Sequence, residues 1–313
     1  MTTPPPSLAV ELGGLTLKSP ILVASGTFGA GREGSAFVDL SKLGGIIVKS
    51  MTLVPWKGKA PPRMCETPSG MLNAIGIQNK GIDHFLSDDL PWLLKKDATV
   101  FASIAGNTVE EFVKVADKLR TGGRGIAAVE VNISCPNLED KNNMFSHSEE
   151  STAAVVNAVK KSLPRVPLFP KLSPNVTSLS AIAGAALEGG ADGLSLINTA
   201  MGMAIDVESR RPKLAGTTGG LSGPAIRPIA VRAIHEVHTA FPDVPLIGQG
   251  GVSDATDVLE LMLAGATAVA IGTANFVNPR ATFEAAAGLV DYMKRHRMAD
   301  LQEVIGGVRL EDR

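Results

Sequence analysis

The sequence predicts an α/β protein with a (β/α)8 TIM barrel, because short apolar runs alternate with amphipathic stretches along most of the chain. Short runs that are apolar throughout are typical of parallel strands buried on both faces. The eight runs are Ile21–Ala24, Ile46–Val48, Val100–Ile104, Val129–Ile133, Leu168–Leu172, Leu194–Ile197, Pro245–Gly248 and Ala268–Ile271.

A short internal repeat supports this prediction. Gly190–Leu194 and Gly265–Val269 both run from the end of a predicted helix straight into a predicted strand. Eight such units close into a barrel more naturally than they form an open sheet. The alternative is a doubly wound sheet, which needs a Gly-x-Gly-x-x-Gly turn after an early strand. The turn that follows the first run, Ser25–Gly29, does not have this spacing.

Two of the intervening helices have recognisable ends. Thr108 and Glu111 form a capping-box pair, so a helix is expected to begin after Thr108. Ser253 is expected to open a later helix, with Gly265 at its end. We also expect an N-terminal hairpin, a flexible tail over residues 1–7, and one barrel domain over residues 8–313.

Composition excludes several classes of protein. Among 313 residues, 44% are hydrophobic, which is enough to bury a large core. The 30 basic residues balance 31 acidic ones without a long Lys/Arg run, so no nucleic-acid partner is expected. We also expect no membrane partner. No apolar run is long enough to span a membrane. The two cysteines, Cys65 and Cys135, argue against a disulfide framework and favour a cytoplasmic location.

Two long connections follow predicted strands. Residues 51–80 follow the second strand, and residues 198–223 follow the sixth. Both leave the C-terminal ends of their strands, where barrel enzymes build their active sites. Long ordered loops at this face are more often functional than decorative, so we expect both to contribute to a site.

The glycines after strands seven and eight predict a phosphate site. Strand seven leads into Gly248–Ser253, and strand eight ends in Ile271-Gly272-Thr273. Glycine allows backbone N–H groups to approach phosphate oxygens closely. The loops after these two strands are the usual phosphate site of this fold. The alternative is that the glycines only make tight turns.

The fourth predicted strand ends in a polar turn that contains Cys135, Asn132-Ile133-Ser134-Cys135-Pro136-Asn137. A free thiol titrates near ~8.5, close enough to neutral to take a proton from a substrate. The competing interpretation is that Cys135 is an ordinary buried apolar side chain, and that interpretation is favoured for Cys65.

Lysines and asparagines follow other strands. Lys49 and Lys171 end strands two and five, where a buried ammonium group needs an anionic or electron-rich partner. The alternative is that both point into solvent. The amides of Asn73, Asn132 and Asn198 offer donors and acceptors that match a cyclic diamide such as a dihydropyrimidine.

These motifs occur in a fixed order along the chain. The stretches are Ala24–Gly29, Gly70–Gly76, Asn132–Asn137, Lys171–Asn175, Ile197–Thr199, Gly219–Gly223 and Gly250–Gly251. In this order they resemble the dihydroorotate dehydrogenase family, in particular its class 1B, the NAD-linked catalytic subunits. The resemblance runs from about Leu8 to Ile305 and implies oxidation of dihydroorotate to orotate, in pyrimidine biosynthesis, with FMN as cofactor.

The resemblance implies roles for individual residues. Cys135 would be the catalytic base, and the segment 138–147 would cover the site. Ser103 would contact the flavin from a position where asparagine is common. The FMN contacts would be Ser25, Lys49, Ser50, Ser103, Asn132, Lys171, Ile197, Gly223, Gly250, Gly251, Gly272 and Thr273; dihydroorotate would meet Lys49, Asn73, Ala74, Ile75, Gly76, Ile77, Asn132, Asn198 and Thr199.

The resemblance also implies a route for the electrons. Class 1B relatives pass them to a subunit that carries FAD and a 2Fe-2S cluster and reduces NAD, so a heterotetramer around a homodimer core is expected. This chain has too few cysteines to hold such a cluster itself. The alternatives are a class 1A enzyme that uses fumarate, a tRNA dihydrouridine synthase and a non-catalytic flavin-binding protein. No metal is expected in this chain.

Overall fold

The computed structural model describes residues 6–134 and 145–310. In chain order its strands are β1 (Val10–Leu12), β2 (Leu15–Leu17), β3 (Ile21–Val23), β4 (Gly45–Ile47), β5 (Met64–Thr67), β6 (Gly70–Asn73), β7 (Val100–Ile104), β8 (Ala128–Asn132), β9 (Leu168–Leu172), β10 (Leu194–Leu196), β11 (Ala200–Gly202), β12 (Ile205–Asp206), β13 (Arg211–Pro212), β14 (Gly219–Ser222), β15 (Leu246–Gln249) and β16 (Ala268–Ile271).

The helices alternate with the barrel strands. They are α1 (Gly81–His84), a π-helical turn (Phe85–Asp89), α2 (Leu90–Lys95), α3 (Val109–Gly122), α4 (Glu149–Ser162), α5 (Leu179–Glu188), α6 (Arg227–Ala240), α7 (Ala255–Leu263), α8 (Ala274–Val277) and α9 (Ala281–His296). Single 3₁₀ turns lie at Gly34–Ala36, Leu40–Lys42, Phe145–His147 and Pro224–Ile226.

Eight parallel strands close into a barrel in the order β3-β4-β7-β8-β9-β10-β15-β16. The closing pair aligns Val269 of β16 with Ile21 of β3. The predicted barrel is therefore confirmed, and the doubly wound alternative is wrong. All eight predicted strands are present, each with its ends shifted by no more than one residue. They are buried on both faces, as their apolar runs indicated.

The predicted N-terminal hairpin is confirmed. It covers the lower end of the barrel, where the parallel strands begin. β1 and β2 pair antiparallel through a turn in which Gly13 and Gly14 have φ of 58° and 83°. Two successive positive φ values favour glycine and suit a two-residue hairpin turn. Leu12 packs in one buried cluster with the rings of Phe101 and Phe169, which point into the barrel. The lower end is thus filled with apolar side chains.

The two long connections meet above the opposite end of the barrel. β5 and β6 come from residues 51–80, while β11 and β14 come from residues 198–223. Together they form one antiparallel sheet in the order β11-β14-β6-β5, with Gly220 paired to Asn73. This confirms the expectation of long ordered loops at the C-terminal face. The small sheet carries Asn73 over the barrel mouth.

The helix ends follow local hydrogen-bonding rules, with one correction. The Thr108 hydroxyl caps α3 by accepting from the Glu111 N–H at 3.2 Å. The prediction that Ser253 opens α7 is wrong, since the cap is Asp254. This residue is extended, and its carboxylate accepts from the N–H groups of Thr256 and Asp257. A carboxylate at this position is also favoured by the helix dipole.

No helix within residues 6–134 and 145–310 combines the length and the apolar character that a bilayer crossing requires.

Candidate active site

A cavity of about 1140 Å³ opens at the C-terminal ends of the barrel strands. It is slightly larger than the ~300–1,000 Å³ typical of small-molecule sites, so it has room for a ligand larger than a single pyrimidine ring. Every predicted site residue among the described ones lines it, except Ser103 and Ala74. The lining residues are Ser25, Lys49, Ser50, Asn73, Ile75, Gly76, Ile77, Asn132, Lys171, Ile197, Asn198, Thr199, Gly223, Gly250, Gly251, Gly272 and Thr273.

The two exceptions lie behind the cavity wall. Ser103 is fully buried in β7, and its hydroxyl lies 2.9 Å from Ser50 Oγ. Ala74 is 1% exposed, and its methyl group packs in a cluster with Leu72 and Leu214 under the small sheet. Ser103 therefore touches the site through Ser50, and Ala74 supports the segment that carries Asn73.

The glycine loops after β15 and β16 present backbone donors to the cavity. Within the described ranges, the N–H groups of Gly250, Gly251 and Gly272 have no protein acceptor. Such groups need a partner when they are buried. The Thr273 hydroxyl lies beside them and donates to Ser222 Oγ at 2.8 Å. A phosphate group is an acceptor-only partner for such a cluster.

The loop after β15 is tightly packed against α6 and α7. Gly251 has φ of 77°, and a Cβ atom at this position would lie 2.6 Å from the backbone nitrogen of Arg227. The Asp257 carboxylate accepts from the Ser253 N–H at 2.8 Å and also binds the Arg227 guanidinium. The loop is thus held by a buried carboxylate on α7 and by the start of α6.

Lys171 is buried and points into a polar layer of the barrel. Its ammonium group donates to Gln249 Oε1 at 2.8 Å and lies 4.0 Å from the Glu130 carboxylate. Only 6% of Lys171 is exposed, so the expected burial of this lysine is confirmed and the alternative, in which it points into solvent, is wrong. The ammonium group is fixed at the cavity floor, where a fixed positive charge stabilises electron-rich groups.

A second line of polar groups runs along the cavity wall. Asn132 Nδ2 donates to Ser50 Oγ at 3.0 Å. Asn198 Nδ2 donates to both the carbonyl oxygen and the hydroxyl of Ser134, each at 2.9 Å. The amides of Asn132 and Asn198 are therefore held in defined orientations.

The segment from Asn73 to Ile77 forms another part of the wall. Gly76 and Ile77 have φ of 73° and 54°. Successive backbone N–H groups in a turn can make an anion-binding concavity. The N–H groups of Gly76 and Ile77 have no acceptor elsewhere in the described parts of the chain. This segment can hold a carboxylate.

Lys49 stands between these regions at the cavity rim. It is half-buried, and its own N–H group donates to the Gly29 carbonyl at 2.9 Å. A Cβ atom on Gly26 would lie 3.7 Å from Lys49 Nζ. The ammonium group thus lies next to a residue that has no side chain, which leaves room for a ligand beside it.

Glu130 and Gln249 are two polar residues that were not predicted as part of the site. Gln249 lines the cavity, and Glu130 lies just beneath it. A signal was present in both cases. Glu130 is a charged residue inside an apolar strand, and such a residue needs buried partners. Gln249 is a polar side chain at the end of a buried strand.

Cys135 and the segment 138–144 lie outside the described residues, so their predicted roles stay predictions. The neighbouring residues are described. Ser134 is 1% exposed and accepts from Asn198, and the Ser146 N–H donates to the Ile133 carbonyl at 3.2 Å. The chain therefore leaves and rejoins the described structure next to the end of β8.

Comparison with known proteins identifies the family. The family model described as dihydroorotate dehydrogenase matches residues 7–293. The chain belongs to the dihydroorotate dehydrogenase family. This family uses FMN, which agrees with a cavity that joins phosphate-type loops to amide side chains.

Similar dihydroorotate dehydrogenases share half of the sequence over nearly their full length. A protein of Geotalea daltonii is 50% identical over 97% of this chain and 99% of its own length. A protein of Desulforudis audaxviator is 51% identical over 95% of this chain and 96% of its own length. The protein of Alkaliphilus oremlandii is 48% identical over 96% and 98%, respectively. All three are named dihydroorotate dehydrogenase B (NAD(+)), catalytic subunit.

Proposed function

We propose that this chain oxidises dihydroorotate to orotate in pyrimidine biosynthesis, with FMN as the immediate electron acceptor and Cys135 as the base. The observation that carries the proposal is the composition of one cavity. Backbone donors for a phosphate and the amides of Asn73, Asn132 and Asn198 line the same space. The chain belongs to the dihydroorotate dehydrogenase family, and this combination of groups suits its cofactor and its substrate.

The residues present fit FMN. The N–H groups of Gly250, Gly251 and Gly272 would bind its phosphate, and a side chain on Gly251 would clash with Arg227. Lys171 would lie at the electron-rich edge of the ring system, where a fixed ammonium group favours added negative charge. When bound, FMN supplies the acceptor for the hydride that leaves dihydroorotate.

Dihydroorotate carries a carboxylate and a cyclic diamide, and the rest of the cavity offers partners for both. The N–H groups of Gly76 and Ile77, together with Lys49, would bind the carboxylate. Asn132 and Asn198 would bind the ring amides, because their orientations are fixed by Ser50 and Ser134. Holding the ring in one orientation brings the reacting atoms within about 3–3.5 Å.

Cys135 would take the proton from C5 of dihydroorotate while the hydride leaves C6. In sequence it directly follows Ser134, which is hydrogen-bonded to Asn198 at the cavity wall. The thiolate form of a cysteine can accept a proton, and general base catalysis of this kind contributes about 10²–10⁴ in rate. Two C–H bonds are broken, at C5 with loss of a proton and at C6 with loss of a hydride, and a C=C bond forms between C5 and C6.

We further propose that the electrons pass to NAD through a partner subunit with FAD and a 2Fe-2S cluster, in a heterotetramer around a homodimer of this chain. The support is the name of the relatives, in which a catalytic subunit implies a second subunit. The proposed location is the cytoplasm, as the small number of cysteines suggests.

The base is tested by anaerobic mixing of the FMN-loaded protein with dihydroorotate, followed by flavin absorbance. The wild-type flavin should be bleached rapidly. Cys135→Ala should retain FMN and be bleached at least about 10²-fold more slowly. Cys65→Ala is the matched control, since Cys65 also lines the cavity but packs against the apolar cluster of Leu72, Ala74 and Leu214. Equal bleaching rates in Cys135→Ala and wild type would remove Cys135 from the mechanism.

The electron acceptor is tested separately. Steady-state oxidation of dihydroorotate by the chain alone should be slow with NAD and become fast when the partner subunit is added. Direct turnover with fumarate, at a rate equal to that with NAD and partner, would favour a class 1A enzyme instead. A flavin that dihydroorotate never bleaches would indicate a non-catalytic flavin-binding protein.

A further inference from the structure

Glu130 is a carboxylic acid enclosed in the barrel. It lies in the middle of β8, all five residues of which are buried, and its side chain has no solvent exposure. Interiors of such barrels are normally filled by branched apolar side chains. A buried carboxylate costs free energy unless several donors satisfy it. The hydrogen bonds of Glu130 show how this cost is offset.

Three side chains on three other strands donate to Glu130. Ser103 Oγ on β7 donates to Oε1 at 3.0 Å, and Ser195 Oγ on β10 donates to Oε2 at 3.1 Å. Gln249 Nε2 on β15 lies 3.4 Å from Oε2. Lys171 Nζ is 4.0 Å away. The carboxylate is thus a shared acceptor beneath the cavity floor.

These bonds fix the orientation of the Lys171 partner. An ammonium group only donates, so the Gln249 side chain must turn its Oε1 atom toward Lys171. Its Nε2 group must then find acceptors on the opposite side, where Glu130 and Ser195 Oγ lie. Because Glu130 is acceptor-only as a carboxylate, it favours this one orientation of Gln249. This orientation of Gln249 in turn fixes the position of the Lys171 ammonium group, which donates to Gln249 Oε1.

The same argument extends to the substrate side of the cavity. The Ser103 hydroxyl gives its hydrogen to Glu130, so Ser50 must be the donor in the 2.9 Å contact between the two hydroxyls. Ser50 Oγ then accepts from Asn132 Nδ2 at 3.0 Å. The orientation of the Asn132 amide is therefore determined by a series of hydrogen bonds that begins at Glu130 and passes through Ser103 and Ser50.

We propose that Glu130 is a positioning residue that orients two catalytic groups at once, Lys171 through Gln249 and the amide of Asn132 through Ser103 and Ser50. This inference rests on the proposed function, because it assigns both groups to FMN and dihydroorotate. The ring of donors around one carboxylate couples the cofactor side and the substrate side of the cavity without touching either ligand.

The variant Glu130→Gln keeps the shape of the side chain but adds donors where the network supplies only donors. We expect the dissociation constant of orotate, followed by perturbation of flavin absorbance in the oxidised holoenzyme, to rise about tenfold. The midpoint potential of bound FMN should become more negative, since Lys171 loses its fixed position and stabilises the added negative charge less. Loss of the Glu130 charge without movement of Lys171 would shift the potential in the opposite direction. A purely structural role would lower thermal stability and leave both quantities unchanged.

The variant Ser103→Ala separates the two branches and serves if Glu130→Gln does not fold. It cuts only the path to Asn132, so orotate should bind more weakly while the FMN potential stays at the wild-type value. Unchanged orotate affinity in Ser103→Ala, or unchanged affinity and potential in Glu130→Gln, overturns the proposal. A wild-type flavin that dihydroorotate does not bleach would instead reject the proposed function, so the two failures are distinguishable.

Discussion

The side-chain amide of Asn79 donates a hydrogen bond of 2.7 Å to the backbone carbonyl of Ile77. Asn79 Oδ1 also accepts from the N–H groups of Thr52 and Gly81, at 3.1 Å and 2.8 Å. Ile77 has φ of 54°, a conformation that costs a β-branched residue about 1–3 kcal/mol. Asn79 therefore holds a strained segment of the cavity wall in place.

Loss of this support should weaken substrate binding. In Asn79→Ala we expect the KM for dihydroorotate to rise about tenfold, because the donors of Gly76 and Ile77 lose their fixed direction. The FMN content should be unchanged, since the phosphate loops are remote in sequence and bonded separately. Asn107→Ala is the control, because Asn107 is exposed and its side-chain amide donates to the Glu111 carboxylate at the start of α3. An unaltered KM in Asn79→Ala would contradict the assigned role.

Two glycines of the phosphate loops should respond differently to the same substitution. Gly251→Ala places a methyl group 2.6 Å from Arg227 N at a φ of 77°, and should destabilise the FMN-free protein by roughly 2 kcal/mol or more. At Gly272 the nearest atom is Ala24 Cβ at 3.4 Å, so Gly272→Ala should lower stability far less. Thermal melting of both FMN-free variants makes the comparison, and equal melting temperatures would refute it.

The carboxylate beneath the loop after β15 should affect FMN affinity. Asp257 is 6% exposed and accepts from Ser253 N, so Asp257→Ala leaves that N–H and the Arg227 guanidinium without a buried partner. We expect the FMN dissociation constant to rise about tenfold. Glu260→Gln is the matched control, since Glu260 also binds Arg227 but is half exposed. The two variants would have to bind FMN equally well for this assignment to fail.

His238 predicts a loss of stability in mild acid. Burial, and secondarily the nearby His235, lower the pKa of His238, and its Nδ1 atom has no partner among the described residues. Because the folded state favours the neutral ring, the contribution of His238 to stability is full above its unfolded pKa of about 6.5. It is lost as the pH falls through the lower folded pKa.

The variant His238→Gln should therefore show a smaller drop in melting temperature between pH 8 and pH 5 than the wild type. This pH range includes the ordinary histidine pKa of ~6.5 and extends below it. His296→Gln serves as control, because His296 is exposed on the last turn of α9. Identical pH profiles for His238→Gln and the wild type would show that another group carries the acid dependence.

The local pattern of short apolar runs was sufficient to predict the barrel. Each strand is short and buried on both faces, so its apolar run is visible without any knowledge of its neighbours. The predicted phosphate loops and Lys49 and Lys171 could be found for a related reason, since chain order alone puts residues that follow parallel strands at one end of the barrel.

Other features depended on pairing between distant parts of the chain. The small sheet joins Asn73 to Gly220, which are 147 positions apart, and nothing local to either segment indicates the partner. Ser253 was expected to cap α7, but the backbone around Asp254 decides which side chain reaches the free N–H groups. Asp254 is adjacent in sequence, so the pattern could not distinguish the two.

By itself, the sequence determined the strands, their order around a barrel and the kinds of group that meet at its mouth, because these follow from periodicity and chain direction. Only the tertiary structure decided which donor faces which acceptor. Glu130 sits within an apolar strand, and its link to Lys171 through Gln249 exists only because three strands bring them within 4.0 Å. Hydrogen bonding is directional and short-ranged, so it is fixed by folded geometry rather than by spacing along the chain.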